Sequence, residues 1–119
     1  MTDGVTLYHN PRCSKSRASL ELLEQQGINP TIVKYLDAPL DRETLEKLLD
    51  LLGLTDPRLL MRKHEAEYKE NNLADDSLSK DELIQAIVDY PRLMERPIVV
   101  KNGKAAIGRP PENILPILS

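Results

Sequence analysis

The dipeptide Asn102-Gly103, set between Ile98-Val99-Val100 and Ala105-Ala106-Ile107, constrains this chain more than any other feature. Asn-Gly between apolar runs reads as a β-hairpin, because a two-residue type I′ turn needs positive φ at both central positions. The turn also sets the register. With Asn102 and Gly103 at its tip, Lys101 faces Lys104, paired positions sum to 205, and Arg96 faces Arg109. Two guanidinium groups directly opposed on one face repel each other. An anion held between them turns that repulsion into a grip, since each planar fork matches an oxyanion. The alternative is that both arginines point into water at frayed strand ends, and a bulge would shift the pairing by one residue.

The N-terminal third reads as β-α-β. Thr6 to Tyr8 is a short β-prone run, and Asn10-Pro11 breaks it. Helical spacing of Leu20, Leu22 and Leu23 predicts a helix from about Ser14 to Gln26, stopped by Gly27. Thr31 to Leu36 reads as a second strand, parallel to the first through a right-handed crossover. The middle is helical. Asp41 is an N-cap with Leu40 as a staple to Leu45, Gly53 is a stop, Asp56-Pro57 is a new start, and Ser79-Lys80-Asp81-Glu82 is a capping box. Glu65 to Ser77 is polar and reads as a short helix plus loop. After the hairpin, Asn113 to Leu118 predicts a last short helix, weakened by Pro116. The order β-α-β, helices, β-β-α is the plan of a thioredoxin-like α/β domain with a mixed four-stranded sheet.

Length bounds the chain to one domain, or one domain with an insertion. Aromatic residues are 3%, all Tyr, so Leu, Ile and Val must fill the core. A formal net charge of −3 argues against a nucleic-acid binder. No run approaches the roughly 20 apolar residues that span a bilayer, and Met1-Thr2-Asp3-Gly4 leads into a strand without a signal-like segment. The expectation is a cytoplasmic protein that touches no membrane.

The single cysteine, Cys13, falls where the first strand gives way to the first helix. Unpaired N–H groups and the helix dipole there favour a thiolate and an oxyanion. Arg12, Lys15 and Arg17 add positive charge. A core cysteine is the bland alternative, but a polar loop of Asn, Pro, Arg, Ser and Lys is a poor core. Ser16 takes the place of the second sulfur of a Cys-x-x-Cys pair; its hydroxyl can donate to a thiolate but cannot close a disulfide. His9 is open to two roles, an electrostatic partner of Cys13 or a brace for the loop backbone. Pro97, entering the third strand, is a candidate cis proline facing the cysteine, or an ordinary trans edge proline. One Cys and two distant His offer no metal-ligand spacing. A Cys-x₅-Arg phosphate loop is excluded, because Ser19 stands where its arginine belongs.

The motifs Tyr8-His9-Asn10-Pro11-x-Cys13-x-x-Ser16-Arg17, Leu60-Met61-Arg62-Lys63, Glu95-Arg96-Pro97-Ile98-Val99-Val100 and Gly108-Arg109-Pro110 are shared with one family. Over nearly its whole length the chain resembles the glutaredoxin-coupled arsenate reductases. The resemblance implies a helical insertion at about residues 39–93, with Cys13 as nucleophile and Arg62, Arg96 and Arg109 as oxyanion ligands. His9, Asn10, Ser16, Arg17 and Pro97 are implied as supporting residues. It further implies that the Cys13 thiolate attacks arsenate and that an oxygen leaves as water. Glutathione then attacks the cysteine-bound arsenic, and glutaredoxin completes reduction to arsenite. No cofactor is bound; glutathione is a co-substrate. Ser14-Lys15 departs from the smaller residues usual after the nucleophile. Two other functions compete: a thiol-dependent reductase or glutathionyl transferase acting on another oxyanion or mixed disulfide, and a regulator that binds RNA polymerase. The regulator class typically carries Cys-x-x-Cys, which Ser16 removes.

Overall fold

The computed structural model describes residues 4–37, 40–95 and 97–118. The chain forms two compact units: Met1–Ala38 with Arg96–Ser119, and Pro39–Glu95.

The first unit is built on a four-stranded mixed sheet in the order β2-β1-β3-β4. Strand β1 (Val5–Tyr8) lies parallel to β2 (Thr31–Val33), with Leu7 opposite Ile32. Helix α1 (Ser14–Gln25) makes the crossover. Strands β3 (Ile98–Lys101) and β4 (Lys104–Ile107) form the hairpin, and β3 pairs antiparallel with β1. This is the thioredoxin-like plan. The hairpin register is as the turn dictates: Lys101 faces Lys104 and Ile98 faces Ile107. Asn102 (φ 50°) and Gly103 (φ 75°) both take the left-handed conformation of a type I′ turn. The pairing runs on past the strands, where the Gly108 N–H donates to the Pro97 carbonyl at 2.9 Å.

Val5, Leu7, Leu23, Val99 and Ile114 make the core of this unit, with Leu20, Leu22 and Ala106 against it. Its α1 side differs from the expected leucine stripe. The residues of α1 that are fully buried are Ser16, Ser19 and Leu23, one face at i, i+3 and i+7. Small residues are needed because the helix comes very close to the hairpin. A Cβ on Gly108 would strike Ser19 Oγ and come within 2.8 Å of Pro97 Cγ. Helix α1 closes on Gly27, whose N–H reaches Glu24 O while Ile28 N–H reaches Leu23 O, a Schellman ending.

Two expected boundaries of this unit move. Strand β2 stops at Val33 rather than Leu36, because Tyr35 turns inward (1% exposed) and Asp37 N–H closes a turn on Lys34 O at 3.0 Å. The last helix starts earlier, as a 3₁₀ turn at Pro111–Ile114 that runs into α5 (Leu115–Leu118). Pro116 sits in the first turn of α5, where a missing N–H costs no intrahelical bond.

The second unit is helical. Helix α2 (Arg42–Leu52) is capped by the Asp41 carboxylate, which accepts the Thr44 N–H at 2.8 Å, and it ends at Gly53 with φ 69°. Helix α3 (Ala66–Glu70) is a short helix with Glu67 and Tyr68 half-buried, and α4 (Lys80–Asp89) opens with the Ser79–Glu82 capping box. Leu45, Leu48 and Leu49 of α2 and Leu83, Ile84 and Ile87 of α4 are buried where the two helices pack. The helix expected after Asp56-Pro57 is only a 3₁₀ turn, Pro57–Leu60. It stops because Met61 turns extended and pairs with Met94; Arg62 N–H donates to Leu93 O, and Glu95 N–H to Leu60 O.

Candidate active site

The site begins with a loop tied at almost every residue. His9 N–H donates to Val33 O at 2.9 Å and so extends the β1–β2 ladder by one step. Asn10 then turns the chain: its Oδ1 accepts Arg12 N–H and its carbonyl accepts Cys13 N–H, both at 3.0 Å. Ser16, fully buried in the first turn of α1, takes the Asn10 N–H at 3.0 Å and holds His9 Nδ1 at 2.6 Å. Arg17 Nη1 reaches back to the Pro11 carbonyl at 3.1 Å. Polar groups at His9 and Asn10, buried in a turn, find partners in the loop, α1 and β2.

These ties deliver Cys13 to the N-cap of α1, with extended φ −92° and ψ 123°, half-buried. Its carbonyl accepts the Arg17 N–H at 3.0 Å. The N–H groups of Ser14, Lys15 and Ser16 open the helix without an acceptor inside it. They give the sulfur, and any anion beside it, a partial positive charge. Arg109 completes the arrangement from 96 residues away, with Nη2 3.7 Å from Cys13 Sγ. It is placed by the hairpin exit: Arg109 N–H donates to Ile107 O, and Asn113 Nδ2 donates to Arg109 O at 2.8 Å. A guanidinium at this distance stabilises a thiolate, and its planar fork is of the kind that matches an oxyanion.

His9 is a brace and not a source of charge. It is 5% exposed, and its pKa is lowered, first by burial and then by the charges of Lys34 and Arg17. The ring is therefore neutral near pH 7. Its tautomer sets what Ser16 can do. With the proton on Nδ1, the ring donates to Ser16 Oγ and leaves the hydroxyl hydrogen for the sulfur side. With the proton on Nε2, Nδ1 takes that hydrogen. Arg12, Lys15 and Arg17 are all exposed, and Arg17 Nη1 donates to the Pro11 carbonyl.

A family model for the ArsC family matches residues 8–117. The chain belongs to the ArsC family. It is 60% identical over 118 residues to the uncharacterized protein YfgD of Escherichia coli (strain K12), covering 99% of both chains. It is 52% identical to the arsenate reductase of Neisseria meningitidis serogroup A, over 96% of this chain and 97% of the relative. The solved structure titled arsenate reductase from Vibrio cholerae superimposes with a TM-score of 0.93 at 53% identity, covering 95% of this chain and 96% of that one.

Of the residues that the sequence singles out in this ArsC-family chain, Cys13, Arg109, His9, Asn10, Ser16 and Arg17 come together in one unit. Arg96, and with it the Arg96–Pro97 peptide bond, lies outside the described residues. Pro97 itself is buried beside Gly108. Arg62 belongs to the second unit, where its Nη1 donates to Glu65 Oε1 at 2.9 Å and its Nε lies 4.0 Å from Glu95. Arg92 holds the other oxygen of Glu65 at 3.3 Å. The carboxylates around Arg62 went unread in the sequence, although an acid three residues after an arginine is a signal. Gly108 was also missed as a contact point, and nothing in its local sequence marks it as one. Among the described residues, no helix is long and apolar enough to cross a membrane, and no group of three potential ligands could hold a metal ion.

Proposed function

We propose that this protein is an arsenate reductase in which Cys13 is the nucleophile, Arg109 is an oxyanion ligand, and glutathione with glutaredoxin supplies the electrons. The observation that carries the reading is the Arg109 guanidinium 3.7 Å from a sulfur at a helix N-terminus. From the family likeness, Arg96 binds the same oxyanion.

The chemistry balances as follows. The Cys13 sulfur bonds to As(V), and one arsenate oxygen leaves as water. A glutathione thiol adds to the arsenic and displaces a second oxygen as water. A further thiol, on glutaredoxin, attacks the glutathione sulfur. The As–S bond breaks with its electron pair staying on arsenic, which becomes As(III), and the two external sulfurs form a disulfide. Water then frees arsenite from Cys13. The enzyme sulfur ends as it began, so a chain with one cysteine suffices and both electrons come from outside. Arg109 and the α1 N–H groups offset charge as it builds on the oxyanion oxygens. A reaction drawing on these thiols belongs in the cytoplasm.

The test is arsenite formation by purified protein with arsenate, glutathione and glutaredoxin, beside selenate, phosphate and mixed-disulfide controls. Arsenite should form with the wild type and not with Cys13→Ser. No arsenite, or undiminished turnover in Cys13→Ser, refutes the reading.

A further inference from the structure

A concavity lies against the cysteine loop. It has a volume of about 270 Å³, and His9, Asn10, Pro11 and Arg12 form one wall. Lys34, Leu36 and Asp37, in the turn that follows β2, form the other. Arg109 is not part of its lining. The loop that carries Cys13 therefore has an arginine at the sulfur and a separate hollow against the residues leading to it.

The lining has a distinctive charge pattern. Arg12 and Lys34 bring two cations and Asp37 one carboxylate. None of the three side chains has an ion-pair or hydrogen-bond partner among the described residues. The floor is polar, and two of its atoms, Asn10 Oδ1 and His9 Nδ1, are engaged within the loop and α1. Lys34 stands close enough for its charge to act on the His9 ring. Two cations alone would suit an inorganic oxyanion; the carboxylate opposes one. The set matches a ligand with two carboxylates and one ammonium. Glutathione in solution carries those three charges.

We propose that this hollow is the docking site of the glutathione co-substrate, with Arg12 and Lys34 taking its carboxylates and Asp37 its ammonium. The proposal rests on the arsenate reductase reading for its kinetic test, but not for its binding test. It assigns the two substrates to different walls: the oxyanion to Arg109 and the α1 N-terminus, the tripeptide to the loop 9–12 and the turn after β2. Holding the tripeptide next to Cys13 raises the effective concentration of its thiol at the arsenic. Charges at the rim of a small hollow also make the interaction salt-dependent.

The probe is S-methylglutathione, whose thioether cannot react. Titrated into the full-length wild type, it should shift the backbone amides of Asn10, Arg12, Lys34 and Asp37. Arg12→Gln and Lys34→Gln should each weaken its binding roughly threefold to tenfold. In turnover, the same variants should raise KM for glutathione by a similar factor and leave KM for arsenate in place. A ligand lacking the ammonium, glutaryl-Cys-Gly, should bind the wild type more weakly than glutathione does and lose nothing further in Asp37→Asn. Absence of probe binding, or shifts elsewhere on the chain, overturns the proposal. So does an unchanged glutathione KM in both cation variants. Probe binding at these amides without any glutathione-dependent arsenate reduction supports the site and removes the activity assignment alone. All three substituted side chains are exposed, so the variants keep the fold.

Discussion

Ser16 Oγ lies 2.6 Å from His9 Nδ1, with both residues buried beneath the loop that carries Cys13. The same oxygen takes the Asn10 N–H at 3.0 Å. One hydroxyl thus joins the first turn of α1 to the end of β1 and fixes the bend that sets the cysteine at the helix N-cap. Ser16→Ala removes that link and leaves Asn10 N–H and a ring nitrogen without their partner. A stability loss of about 1–3 kcal/mol is expected, the cost of an unsatisfied buried group. A urea midpoint equal to wild type would show that water replaces the hydroxyl.

His9 gives the fold a pH dependence of known sign. Its pKa is lowered in the folded chain by burial and by Lys34 and Arg17, whereas an unfolded histidine titrates near 6.5. As pH falls below about 6.5 the unfolded chain takes up a proton first, so stability drops, and the drop ends below the folded value. In His9→Gln this contribution is gone. The difference in urea stability between wild type and His9→Gln should therefore shrink as pH falls from about 7 to about 5. Other titrating groups are common to both proteins and cancel. Parallel curves would contradict the assignment.

Much of this site was legible because turn chemistry is local. Asn102-Gly103 is a two-residue problem, and its solution placed every partner along the hairpin up to Pro97 and Gly108. Asp41, Ser79 and Gly53 announced their helix ends in the same way. What escaped depended on distant parts of the chain. Strand β2 ends where Tyr35 finds an interior position, and the 3₁₀ turn at Pro57–Leu60 ends where Met61 finds Met94. The buried face of α1 is Ser16, Ser19 and Leu23, which an apolar pattern cannot reveal, because smallness rather than hydrophobicity is what that approach demands. Periodicity reports what leaves water, not how near two backbones come.

Gly108 tests that close approach. It is not at positive φ, so alanine meets no backbone objection; the obstacle is Ser19 Oγ and Pro97 Cγ. Gly108→Ala should destabilise by about 1–3 kcal/mol, as expected for overpacking. Because Arg109 is the next residue, the variant should also lose arsenate affinity. The double change Gly108→Ala with Ser19→Gly, which removes one of the two clashes, should recover part of both losses. Stability and arsenate KM that match wild type in the single variant would mean that the helix and hairpin separate without cost.

Arg109 Nη2 lies 3.7 Å from Cys13 Sγ, so the guanidinium bears directly on the thiol. Its charge and the α1 N-terminus both favour the thiolate, so the rate of Cys13 alkylation against pH should show ionisation below the ~8.5 of a free cysteine. Arg109→Ala removes one of the two and should move that midpoint upward, with the helix contribution remaining. Arg109→Lys keeps the charge without the planar fork, so it should hold the midpoint lower than Arg109→Ala while binding arsenate poorly. Loss of a charge-assisted contact of about 1.5–3 kcal/mol corresponds to a roughly tenfold to hundredfold rise in arsenate KM for Arg109→Ala. An alkylation midpoint that stays put in Arg109→Ala would show that the Arg109 guanidinium does not set the acidity of Cys13.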